Sequence, residues 1–330
     1  MPDIDDVVAS IRQLEEKRRD VADELSGLGD QALEAPPLVE QQLVHTVDAA
    51  QLDGRTIAGV DGGLVKRGFH GVDVVLSRAV AALFTYRGET VTSSNYIPER
   101  TPRPDIIHLD SPLDRHEFDV SSSLLRLQKE VQAAIDAVEQ EPDAVLLDGS
   151  IVPQYMDRPA EGTKPREFYD ELIQSYRELF QTALDYGVTL AGVIEDSRGT
   201  GLCDVLASQT FMAEEMEYTE EYEKHPTLRD IGDVSDRVHN FYLRTAENDR
   251  PVRVDFLAGE DTVASADRAA SLILPLCSYS STYGIPSVIV EADRCAKFSE
   301  KDVEMFESRL RSVMDAFPGL GDLRRDSRPF

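Results

Sequence analysis

Tryptophan is absent from this 330-residue chain, and cysteine occurs three times. Cys203, Cys277 and Cys295 show no Cys-x-x-Cys spacing, which excludes a disulfide scaffold and a cysteine-rich zinc site. No apolar run approaches the ~18 residues that a bilayer-spanning helix needs. The opening MPDIDDVVAS is acidic where a secretory signal is basic and then apolar, so a soluble, cytoplasmic protein without a membrane partner is expected. Neither a GxGxxG nor a GxxxxGK[ST] phosphate loop occurs. The six histidines include no pair at metal-ligand spacing.

Lysine is also scarce: 7 of the 34 basic residues are Lys and 27 are Arg. Against 62 acidic residues they leave a formal net charge of −28. Acidic residues are spread along the whole length, which points to an extreme halophile. Taken alone, so negative a chain argues against a nucleic-acid partner, because phosphate binding rests on basic patches. At about 1 M salt, however, the Debye length shrinks to about 3 Å and long-range repulsion is screened. Site chemistry must therefore decide. With 41% apolar residues the chain can still bury a large core. Its length fits one large domain or two modest ones, at roughly 150 residues each.

Residues 5–27 carry Val7, Ile11, Leu14, Val21 and Leu25 at helical spacing, ended by Gly27 and Gly29. A polar, Pro-containing connector follows. From residue 55 the pattern turns β-rich, and three antiparallel strands are expected at about 56–62, 72–77 and 79–87. Residues 95–112, with four prolines, read as a long loop. A helix is expected over 120–139, then the apolar strand DAVLLDGS, a helix over 165–186 between Pro165 and Gly187, and the apolar strand VTLAGVIEDS. Residues 213–236 are acidic and fit no element. Two strands (VHNFYLRT, VRVDFLA) and three helices (from ADRAASL, IPSVIVEADRC and SEKDVEMF) complete the chain. Ser299 is placed to cap the last helix, although the ideal Glu is missing three residues on. The order gives an α/β fold with a mixed sheet flanked by helices and antiparallel strands at one edge.

Two strands end in an Asp-Gly step, GVDGG at Asp61 and LLDGS at Asp148. Ligands of open α/β sheets collect at strand ends. If the two strands are neighbours, the carboxylates lie side by side, repel, and invite a divalent cation such as Mg²⁺ or Mn²⁺. Either motif alone also reads as an ordinary turn. Glu130 flanks the apolar stripe of the helix before Asp148, and Asp293 sits beside Ala292 on a short late helix. Each of these reads equally as a surface charge.

Taken together, GVDGG, the helix carrying LLRLQKE, AVLLDGS, VTLAGVIEDSRG, PVRVDFLAGE and GIPSVIVEADRCAKFS resemble the NurA family of DNA-repair nucleases, from about Gly59 to Ser299. The resemblance implies an RNase H-like core over 51–330 with an insertion at about 205–240, and an N-terminal helical segment, 1–50, for dimerisation or partner docking. It implies a Mn²⁺- or Mg²⁺-dependent 5′-to-3′ nuclease, two ions at the site, a homodimer, and a HerA-type hexameric ATPase as partner in DNA end resection. Asp61, Glu130 and Asp148 match the family's metal-binding acids. Asp293 stands where many members carry His, which would make the set Asp-Glu-Asp-Asp. Around Glu195 the chain departs from the family's Lys-x-Ser, leaving Arg198 as a replacement cation.

DNA contacts are expected from Lys66 and Arg67 after GVDGG, from Arg100 and Arg103 in the loop, from Arg198, and from the C-terminal arginines from Arg309 onward. Two rivals remain. A sugar-kinase or actin-like ATPase shares the topology but needs Gly-rich loops that this chain lacks. A degenerate nuclease retained as a scaffold for the ATPase needs no chemistry at all.

Overall fold

A computed structural model of the chain describes residues 4–26, 39, 44–69, 72–109, 113–195, 226–246 and 250–315. These belong to two compact units. One contains helix α1 (Ile4–Ser26), whose polar side carries an Arg18–Glu15 ion pair one turn apart. The other contains every element described below. The bulk of the expected insertion at 205–240 lies outside the described residues.

Strands β1 (Thr56–Phe69) and β2 (Val72–Arg87) form a long antiparallel pair. The outer edge of β2 carries two further antiparallel strands in succession, β3 (Thr90–Ile97) along Ala81–Arg87 and β4 (Asp105–Leu109) along Asp73–Ser77. Helix α2 (Arg115–Val138) then leads to β5 (Ala144–Asp148), which joins β1 in parallel. Helix α3 (Pro165–Tyr186) leads to β6 (Thr189–Ile194), parallel to β5. After the short α4 (Pro226–Ile231), β7 (Val238–Leu243) and β8 (Val252–Leu257) close the far edge, with β8 antiparallel to β6. The sheet order is β3-β2-β1-β5-β6-β8-β7, with β4 on β2. Helices α5 (Thr262–Ile273), α6 (Ser287–Ala296) and α7 (Glu300–Asp315) follow.

The mixed sheet is therefore as expected, with three differences. The strands expected at 72–77 and 79–87 are one strand running through Arg78. This arginine is buried because its guanidinium donates to the carbonyls of Ala296 (2.9 Å), Lys297 (2.5 Å) and Pro102 (3.3 Å) and stacks 4.6 Å from the Phe298 ring. The expected loop at 95–112 contains the end of β3 and all of β4, a strand too short and too proline-flanked to show periodicity. Finally, antiparallel strands occupy both edges of the sheet.

One face of the sheet is covered by α2 and α3, whose Leu124, Val131, Leu172 and Phe180 pack on Val60, Val145, Leu147 and Leu190. Each fully buried Leu there contributes about 2 kcal/mol. Pro165 starts α3, and Gly187 ends it in the left-handed region at φ 66°. The opposite face carries α6, with Val288, Ile289, Ala292 and Cys295 buried. Helix α7 is capped by Ser299 as expected. Asp302 takes the part of the missing Glu, its carboxylate accepting from the Ser299 N–H (3.0 Å) and hydroxyl (2.9 Å).

Candidate metal centre

The parallel register of β1 on β5 pairs Val60 with Leu147, so Asp61 and Asp148 are the next residues along each strand. Val60 and Leu147 both belong to the core under α2 and α3. Strand alternation then puts Asp61 and Asp148 together on the other face, toward α6. Asp148 does end its strand, and Gly149 turns the chain there at φ 107°. Asp61 does not end its strand: β1 continues eight residues beyond it, to Phe69. The glycines after Asp61 provide space rather than a turn. A Cβ on Gly62 would lie 2.4 Å from Glu130 Oε1, and one on Gly63 would lie 2.1 Å from the Ala296 carbonyl oxygen. Gly59 does the same against the Val288 backbone, at 2.3 Å. Bare backbone at these positions lets α2 deliver Glu130 from one side of β1 while α6 lies on the other.

Asp61 and Glu130 form the buried floor of this site, at 7% and 5% exposure, whereas Asp148 and Asp293 are exposed at its mouth. Burial, then the charge of Asp148, raises the Asp61 carboxyl to about 7, with Asp293 adding to the rise; the Gly62 N–H (2.7 Å) and Arg126 oppose it. Burial raises Glu130 to about 8, aided by Asp61 and Asp148 and opposed by Arg126. Asp148, although open to solvent on one side, is raised by desolvation of its protein-facing side and then by Asp293, with Arg126 opposing and Glu195 adding to the rise. The four acids thus share one electrostatic neighbourhood. Among the described residues, however, no three His, Cys, Asp or Glu side chains close to metal-ligand spacing. Two of their oxygens are engaged in hydrogen bonds. Asp61 Oδ1 accepts from its own neighbour's N–H, and Glu130 Oε1 accepts from Arg126 Nη1 at 2.5 Å.

Neither Arg126 nor Asp255 was singled out from sequence. Arg126 lies one helical turn before Glu130, an i,i+4 pair visible in RLQKE. Asp255, a lone acid in the apolar β8, is 1% exposed. It accepts from the Ser150 hydroxyl (2.6 Å) and from Arg253 (2.7 Å). It thereby pins the turn that follows Asp148, which folds against Gly192.

The basic residues expected at DNA are placed differently. Lys66 and Arg67 lie within β1, not in a turn, and both are paired: Lys66 with Asp119, Arg67 with Glu307 at 2.8 Å. Arg100 pairs with Glu291 at 3.3 Å, and Arg103 is exposed. Arg198, Arg324, Arg325 and Arg328 lie outside the described residues. Among the described residues, no helix is long and apolar enough to cross a membrane.

The comparisons with known proteins agree with this architecture. The NurA domain matches residues 55–298, well over half of the chain, and the chain belongs to the NurA family. The NurA nuclease from Sulfolobus solfataricus has the same fold, with a TM-score of 0.54 at 15% identity over 94% of this chain and 97% of that one. A NurA structure bound to dAMP and manganese superposes with a TM-score of 0.54 at 10% identity, covering 90% of this chain and 94% of the other. A third, with manganese, gives 0.51 at 12% identity, covering 93% and 98%. No curated protein matches the chain in sequence.

Proposed function

We propose that the protein is a metal-dependent deoxyribonuclease that hydrolyses phosphodiester bonds at DNA ends. The observation that carries this reading is the adjacency of Asp61 and Asp148 on neighbouring parallel strands, with Glu130 brought over Gly62. Among the described residues, three carboxylates with raised proton affinity and one arginine between them form a site short of positive charge, which suits hard divalent cations. Two NurA structures, one with manganese and one with dAMP and manganese, support the choice of ion.

Asp61, Glu130, Asp148 and Asp293 would hold Mn²⁺ or Mg²⁺, and four acids suffice for two ions. Bound there, the metal supplies a water acidic enough to attack phosphorus at neutral pH and charge to stabilise the departing oxygen. The chain itself contributes a buried floor that excludes bulk water, and a turn after Asp148 fixed by Ser150 and Asp255. No histidine or lysine base is required. Family membership supports 5′-to-3′ polarity, a homodimer, and work with a HerA-type hexameric ATPase in double-strand break repair.

The test is cleavage of linear DNA with Mn²⁺, in molar salt and without ATP. Wild type should cut, and Asp61→Ala should not while keeping its fold by circular dichroism. Cutting by Asp61→Ala would refute the assignment. A wild type that neither cuts nor binds Mn²⁺ would leave the scaffold reading.

A further inference from the structure

We propose that Arg126 is a positioning residue that keeps Glu130 neutralised in the metal-free protein, yields it to the arriving cation, and then turns its guanidinium to the DNA phosphate. This inference rests on the metal-dependent reading above. Four observations support it. Arg126 Nη1 donates to Glu130 Oε1 at 2.5 Å. Glu130 is almost wholly buried, whereas the Arg126 side chain retains 32% of its exposure, so the arginine has a way out and the glutamate does not. The same guanidinium acts electrostatically on Asp61 and Asp148, and Asp157 and Tyr176 act on it in turn. Asp61 and Asp148 follow paired residues on adjacent strands, no trio among the described residues closes to metal-ligand spacing, and the Arg126 contact is one of two that occupy the acids' oxygens.

The physics sets the direction of exchange. A buried carboxylate without a counter-ion is costly, so ionised Glu130 requires a cation beside it and otherwise takes up a proton. A divalent ion is repelled by Arg126 twice as strongly as a proton on Glu130 would be. Removing the arginine therefore favours the ion over the proton as well as over the empty site. Once released, a planar guanidinium beside the carboxylates is suited to bidentate contact with a phosphate.

Calorimetric titration with MnCl₂ in the absence of DNA reads the first half of the exchange. Arg126→Gln should bind Mn²⁺ about tenfold more tightly than wild type, the size of a typical site-to-site coupling. In a Glu130→Gln background the same change should give a smaller gain, because only the direct repulsion between Arg126 and the ion is then relieved. Binding of a cleavage-resistant phosphorothioate oligonucleotide in Mn²⁺ reads the second half, and Arg126→Gln should weaken it about tenfold. A merely structural arginine would not move the two affinities in opposite directions. Unchanged or weaker Mn²⁺ binding by folded Arg126→Gln, or undiminished DNA binding, overturns the inference. If that variant does not fold, Arg126→Lys decides: it keeps the charge, so its Mn²⁺ affinity should stay within about threefold of wild type, and a tenfold gain overturns the proposal. Absence of Mn²⁺ binding by wild type removes the metal reading itself, which is a different result from any of these.

Discussion

Two groups of acids in the same unit follow opposite rules. Asp230, at the end of α4, accepts from Arg158 Nε (2.6 Å) and Nη2 (3.4 Å) and from the Tyr169 hydroxyl (2.8 Å). Burial alone would raise its carboxyl, but these donors outweigh it and hold the group below its ordinary range. Among the described residues, Asp61, Glu130 and Asp148 share a single guanidinium, and all three are pushed upward. An acid with its own donors fastens one element to another. Acids that outnumber their donors weaken the fold and are kept for something that arrives from outside.

The largest test of this contrast is Asp61→Asn. Cleavage should fall about a thousandfold or more, because the proposed metal site loses a ligand. With chelator present, the same variant should be more stable than wild type by about 2 kcal/mol, since a repelling buried charge is gone. A lower melting temperature in EDTA would break the comparison. Gly62→Ala asks whether geometry matters apart from charge. The new methyl would meet Glu130 Oε1 and Cγ at 2.4 and 2.7 Å, so Glu130 must shift. Mn²⁺ affinity should drop about tenfold while stability falls by about 1 kcal/mol, both within the usual range for overpacking. Asp230→Asn should cost about 1–2 kcal/mol in denaturant unfolding and leave Mn²⁺ affinity unchanged. The smallest effect is in pH. The folded carboxyl of Asp230 lies below its unfolded value near 3.9, so its contribution is present above that pH and disappears as the medium is acidified through the folded value. The stability gap between wild type and Asp230→Asn should therefore close in the acid range, and a gap that widens there would reverse the sign argued here.

The adjacency of Asp61 and Asp148 was legible because parallel strands with matched apolar runs bring equivalent residues level. GVDGG and LLDGS gave Asp61 and Asp148 the same position relative to their hydrophobic stretches, and the β1–β5 register aligns them. The reading of GVDGG as a strand end failed because glycine has two uses. At Gly149 it turns the chain, and at Gly62 and Gly63 it makes room for a neighbouring helix, which only the tertiary structure can distinguish. Arg78 was read as a break for a similar reason: its partners, the carbonyls of Ala296 and Lys297, are more than two hundred residues away. Lys66 and Arg67 looked free in the sequence because Asp119 and Glu307, which neutralise them, are likewise remote. Arg126 was within reach, since its spacing to Glu130 is local.

For the proposed metal site, the glycines of β1 have a consequence for ion selectivity. Main chain alone separates the helix bearing Glu130 from the helix bearing Asp293, so the gap is gauged by atoms that have no rotamers to adjust. Repacking the hydrophobic layers would leave that gauge as it is. Retuning the protein toward a larger or smaller ionic radius would have to proceed by lengthening or shortening the acids themselves, Asp to Glu or Glu to Asp, one position at a time.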